Sequence, residues 1–206
     1  MQARLDGGKL TRRNSLSLVM LGALLISGCA TYAPPKVDEK TGMYKASASL
    51  DGGAVEKRDT DVDLKKFRFV YLVTQSNVYP GRFEFFARAA LARAGFTDVA
   101  NTAELTEFIA ETPALSSITS IEDPISRRRL AQLVGPILFV QVSSMWDGNV
   151  RRDVKLTVVD LSTGKTLLQI DHNRLIWADV DSEAHYPVLN EFNKWVKECG
   201  TNKERT

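Results

Sequence analysis

Residues 155–170 read KLTVVDLSTGKTLLQI, and the turn at their centre decides the fold. Ser162-Thr163-Gly164 is a turn signal between two strand-like runs, so Val150 to Asp160 and Lys165 to Trp177 form a hairpin. Asp147-Gly148-Asn149 is a second turn signal just before the first run. Upstream of that turn, Ile137-Leu138-Phe139-Val140-Gln141-Val142 reads as a buried central strand. Three antiparallel strands therefore follow one another and make the larger part of a sheet.

Toward the N-terminus, Phe67 to Val73 (FRFVYLV) is aromatic and β-branched and apolar on both faces at its centre, an interior strand. A helix follows from about Gly81 to Ala94. Phe83, Phe86, Ala87, Ala90, Leu91 and Ala94 form its continuous stripe, with Gly95 as the left-handed stop and Phe96 folding back. Phe96 to Val99 reads as a short strand. Asn101 with Glu104 is a capping box for a helix through Leu105, Phe108 and Ile109, ending before Pro113. Residues 113–123 form a Ser/Thr-rich loop long enough to be functional or mobile. Asp123-Pro124 then opens a helix through Ile125, Leu130, Leu133 and Val134 to Gly135. A final helix, near Tyr186 to Cys199, aligns Leu189, Phe192, Trp195, Val196 and Cys199. The order β-α-(β)-α-α-β-β-β-α predicts an α/β (α+β) domain over 67–200: a mixed, largely antiparallel sheet packed by about four helices. Residues 201–206 are a polar tail.

The hairpin resembles the "VD-x-x-TG" hairpin of periplasmic lipoprotein domains related to the curli-secretion and penicillin-binding-protein-activator lipoproteins. Asp160, Thr163 and Gly164 are the matching positions, after Val158 and Val159. The resemblance implies a periplasmic α/β domain, and because the motif mainly describes a turn it speaks to fold rather than activity.

The leader supplies an address. Arg4, Lys9, Arg12 and Arg13 precede an apolar run, Leu16 to Ile26, of 11 residues, against roughly 20 for a membrane span. Ser27, Gly28 and Cys29 follow. Residues 1–28 thus read as a signal peptide, and Ile26-Ser27-Gly28-Cys29 resembles the lipobox of bacterial lipoproteins, with isoleucine where the family prefers leucine. The resemblance implies cleavage before Cys29, a thioether-linked diacylglycerol on its sulfur and an N-acyl chain, two to three chains that together anchor firmly. The other reading is an ordinary secretory leader followed by a free or disulfide-bonded cysteine. Ala30 stands where aspartate is the inner-membrane retention signal of enteric-type bacteria, which implies the outer membrane, facing the periplasm. Residues 29–66, polar with a Pro pair and a Gly pair, read as a lipidated N-terminus and flexible tether.

Without the leader the chain has 23 basic and 24 acidic residues. Nucleic acid is therefore not an expected partner. Gly164-Lys165-Thr166 imitates the end of a phosphate loop, but Val159 stands where glycine is needed and both flanks are strands, so these are turn residues. Asp179, Asp181, Glu183 and His185 alternate as potential metal ligands. A calcium loop of EF-hand type needs glycine at 184 and a carboxylate at 190, where Ala184 and Asn190 stand, leaving a looser divalent site or an acidic helix entry. No G-x-S-x-G elbow occurs, and Cys199 sits on an apolar stripe, the place of a core cysteine. The candidate contacts are the basic run Arg127, Arg128 and Arg129, joined by Arg151 and Arg152 if these project nearby, with Tyr79 before the first helix and Trp146 at the hairpin end. With no catalytic set and no cofactor beyond the acyl chains on Cys29, the expected function is a non-enzymatic adaptor. It would bind an envelope protein or cell-wall partner. The alternative is an envelope hydrolase or metal- or ligand-binding protein using residues 179–185.

Overall fold

A computed structural model describes residues 36–46, 49–50, 52–77, 80–147, 151–175 and 185–202, with the backbone alone at 82, 151, 174–175 and 201–202. The strands are β1 (Val55–Arg58), β2 (Phe69–Ser76), β3 (Val99–Ala100), β4 (Ile137–Trp146), β5 (Arg151–Asp160) and β6 (Lys165–Leu175). The helices are α1 (Pro80–Arg93), α2 (Thr102–Glu111), α3 (Pro124–Val134) and α4 (Tyr186–Asn202), with short 3₁₀ turns at Leu64–Lys66 and Pro113–Leu115. The sheet order is β1-β6-β5-β4-β2-β3. Antiparallel pairing runs from β1 to β4, and β4, β2 and β3 are mutually parallel neighbours. This is the mixed α+β sheet that the turn signals predict.

The two halves bury themselves differently because their connections differ. From β2 the chain crosses through α1 to β3 at one edge, then returns through α2 and α3 to β4 on the other side of β2. Right-handed crossovers in opposite directions place their helices on opposite faces. The centre of β2 and the start of β4 are therefore covered twice. Val70, Tyr71 and Leu72, and Ile137 through Val140, are consecutive buried residues, as parallel strands between helices require. One face, with Leu72, Val140, Leu156 and Ile170, packs on Phe83 and Leu91 of α1 and on Phe192 and Trp195 of α4. The opposite face, around Tyr71 and Phe139, packs on Leu105 of α2 and Leu130 of α3. Between β4 and β6 no helix of the described residues covers that second face, so β5 alternates buried with half-buried or exposed residues along its length.

Local signals terminate the elements as the sequence predicts. α1 ends in a Schellman arrangement: Gly95 has φ 95°, Phe96 N–H donates to Leu91 C=O at 3.0 Å and Gly95 N–H to Ala92 C=O at 3.1 Å. The Asn101–Glu104 capping box is complete, and the Asp123 carboxylate accepts from the N–H groups of Ile125 and Ser126.

Three expectations are corrected. Most of the 29–66 segment that composition assigns to a tether belongs to the domain. β1 pairs with β6, and the hairpin bridged at Val37 and Tyr44 docks on α1 and α4. Tyr44 stacks on Tyr186 with centroids 4.9 Å apart, Arg93 lies over its other side at 4.6 Å, and the Asn190 amide holds both Tyr44 N–H and C=O, at 2.7 and 3.0 Å. A single aromatic with a matched hydrogen-bond clamp orders a polar tract that average hydropathy marks as free. The 113–123 loop is likewise not a mobile excursion, since Leu115, Ile118 and Ile121 are all buried against the second face. Finally, Ile125, Leu133 and Phe108, expected on core stripes, are exposed by 80%, 52% and 39%.

Candidate functional site

The exposed Ile125 marks the site. α3 presents Leu130 and Ala131 to the sheet, and Arg127, one turn earlier, sits at the rim of that inner face. Its guanidinium lies over the Phe139 ring, 4.7 Å from the centroid, and its Nη2 donates to the Glu122 carbonyl at 3.1 Å. Its Nε is buried and has no hydrogen-bond partner among the described residues. Arg128 and Arg129 are exposed, and none of the three arginines has an ion-pair partner among the described residues. Arg58, Lys66, Arg88, Lys155, Lys165 and Lys194, by contrast, are each paired with a carboxylate.

A groove of about 540 Å³ runs between this part of α3 and the uncovered sheet. Ile125, Arg127 and Arg128 make one wall. The floor is two cross-strand pairs, Phe139 with Val159 and Gln141 with Thr157, one apolar and one polar. The far wall is the β5–β6 turn at Leu161 and Gly164. Among the described residues no carboxylate, histidine or cysteine lines the groove, so they offer positive charge, an apolar pair and a neutral polar pair, without a nucleophile–base set.

The turn wall is held rigidly. Asp160, 2% exposed, accepts hydrogen bonds from Lys66 Nζ at 2.6 Å, Ser162 N–H at 2.9 Å and Ser162 Oγ at 2.5 Å. Gly164, at φ 74°, returns its N–H to the Asp160 carbonyl at 2.7 Å. Burial pushes the Asp160 carboxyl up, but the bonds from Lys66 and Ser162 outweigh it and hold it below the ordinary carboxylate value. Lys165 is drawn aside to Asp59 at 2.5 Å. Its ammonium serves the turn, in keeping with the strand–turn–strand reading of Gly164-Lys165-Thr166.

The other sequence candidates do not join the groove. Trp146 ends β4, with strand alternation setting it on the face opposite Gln141. The Asn77 side chain clamps its backbone N–H and C=O at 2.9 and 2.7 Å. Arg152 is buried on that same opposite face, donating to Ser144 Oγ at 2.7 Å. Cys29, Tyr79, Asp179, Asp181 and Glu183 lie outside the described residues. His185 is buried among Phe83, Phe86 and Tyr186, with ring centroids 5.1–5.4 Å away. Among the described residues no cluster of three or more metal-ligating side chains occurs. Cys199 is a core thiol on α4, pushed up to about 11 by burial, so thiolate chemistry is disfavoured at neutral pH. Sequence reasoning found the arginines but missed the floor, because the strands that form it are brought to α3 only by the sheet order.

Fold and groove together define a mixed-sheet α+β domain with a basic, partly apolar cleft on one face of its sheet. No protein-family model and no curated protein matches the chain. Solved structures similar to it include the LpoB C-terminal domain from Salmonella enterica, at 17% identity and TM-score 0.36, covering 52% of this chain and 82% of that one. Lipoprotein GNA1162 from Neisseria meningitidis is similar at 20% identity and TM-score 0.32, covering 52% and 78%. A PelC dodecamer from Paraburkholderia phytofirmans is similar at 15% identity and TM-score 0.38, covering 69% and 93%. At such scores the likeness assigns no function, and the groove has to carry it.

Proposed function

We propose that the chain is a non-enzymatic envelope lipoprotein, anchored through acyl chains on Cys29 at the periplasmic face of the outer membrane, whose domain holds an acidic envelope partner. The observation that carries the binding role is the pair Arg127 and Arg128, without ion pairs among the described residues, on one wall of a groove that no carboxylate of the described residues lines. Neighbouring charges of one sign without ion pairs on a shaped surface cost self-repulsion, and a partner of opposite charge offsets it. The lipobox resemblance supports the address. The docked hairpin shortens the leash that composition suggests. Six residues, 30–35, lie between Cys29 and Lys36, a reach of at most about 25 Å when extended.

Two experiments test the halves of this reading. Crosslinking of the lipidated protein in intact cells should enrich one envelope component that an Arg127→Glu/Arg128→Glu variant fails to enrich. Equal enrichment by both forms would remove the groove from the function. For the anchor, Cys29→Ser should abolish incorporation of labelled palmitate and leave a larger precursor. Normal maturation of that variant would end the lipoprotein assignment.

A further inference from the structure

We infer that the groove takes an extended acidic peptide carrying an aliphatic side chain, rather than an anionic polysaccharide. This rests on the acidic-partner reading above and specifies its chemistry. Charge complementarity selects the sign, since Arg127 and Arg128 line one wall and no carboxylate of the described residues lines any. The neighbouring helix end does not supply the anion site, because the Asp123 carboxylate already occupies the N–H groups of Ile125 and Ser126. The guanidiniums must do it. Arg127 is half-fixed, with one terminal nitrogen committed to the Glu122 carbonyl and a buried Nε unsatisfied, an arrangement that an entering carboxylate would complete.

The apolar parts choose between ligands of the same charge. Sugar rings are held chiefly by stacking on open aromatic faces. The one aromatic ring in the groove, Phe139, is 5% exposed and covered by Arg127. What remains is aliphatic: Ile125, 80% exposed, on one wall, and the half-buried Val159 on the floor. Such surface rewards a leucine- or isoleucine-sized side chain. Gln141 and Thr157, opposite one another on β4 and β5, offer donors and acceptors to the backbone of an extended segment. An acidic residue beside an aliphatic one therefore places each group against its complement.

The test is fluorescence anisotropy on the full-length lipidated protein in detergent micelles, with empty micelles subtracted. The probe is a labelled eight-residue Asp/Glu peptide with one central leucine, compared with the same peptide bearing serine there. The leucine peptide should bind about tenfold more tightly, the order expected for burying one such side chain. Arg127→Gln and Arg128→Gln should each weaken it about tenfold, while Arg129→Gln, outside the groove, changes it less than twofold. Ile125→Ser should remove the preference for leucine and leave the weaker charge-driven binding. Equal binding of the two peptides, or displacement of the probe by polygalacturonate at lower monomer concentration than by unlabelled peptide, overturns the peptide inference and leaves the acidic-partner reading standing. Loss of neither arginine mattering overturns both. Unchanged circular dichroism and melting of the variants show that a change belongs to the groove.

Discussion

The face of the sheet under α1 and α4 is closed, whereas the opposite face is closed only over β2 and β4. On the closed face Leu156, Val158, Leu168 and Ile170 meet Phe192 and Trp195. On the open half the same strands turn Thr157, Lys155, Gln169 and Asp171 outward. There the stabilising contacts are cross-strand polar pairs, Lys155 with Asp171 at 2.6 Å, Asn173 with Asp153 and Gln169 with Glu56. Over β5, apolar burial therefore lies on one face and the proposed binding chemistry on the other, and neighbouring residues of a single strand serve the two roles. Even the N-terminal hairpin joins the closed side, through Tyr44 and Asn190, leaving the groove uncovered by it.

The sharpest way to break this comparison is Trp195→Ala. The indole is fully buried and donates its Nε1–H to the Asp59 carbonyl at 2.6 Å, so the substitution should cost about 3–5 kcal/mol in urea denaturation. A smaller loss, about 2 kcal/mol or more, is expected for Tyr44→Ala, with accelerated amide exchange across 36–46. If exchange there is as slow as in the parent protein, the hairpin does not depend on the clamp.

Asp160 gives a pH signature. Its folded carboxyl titrates below the ordinary value, near 3.9 in the unfolded chain. The stability it contributes is therefore fully present above that unfolded value and is lost as pH falls through the lower folded one. Asp160→Asn should flatten this part of the acid denaturation profile. An unchanged profile would mean that the Lys66 and Ser162 bonds do not favour the charged form. The smallest effect belongs to the open half: Thr157→Ser should stay within about 0.5 kcal/mol. A cost several times larger would show that the open face is structural after all.

Much of the helical framework was legible one residue at a time. The stripe from Phe83 to Leu91, the stop at Gly95, the Asn101–Glu104 box and the Asp123-Pro124 start all act within a few positions along the chain. The structure keeps each. The groove was legible only in its arginines. Ile125 matched a helical stripe as well as Leu130 does, and spacing alone does not say where a sheet face runs out of partners. Leu115, Ile118 and Ile121 recur every third residue, a burial signal that the surrounding serines and threonines obscured. Tyr44 carried no periodicity, only its size in a polar tract.

Sequence alone determined the local elements, the three consecutive antiparallel strands and the resemblance of Ile26-Ser27-Gly28-Cys29 to a lipobox, because caps, turns and cleavage motifs are read by neighbours along the chain. Tertiary structure decided that β2 would lie between β3 and β4, that α3 would stop short of β5 and that Arg127 would face Val159 and Thr157 across a cleft. Those outcomes depend on which apolar faces cover one another across the whole domain, a competition in which each residue's partners lie tens of positions away.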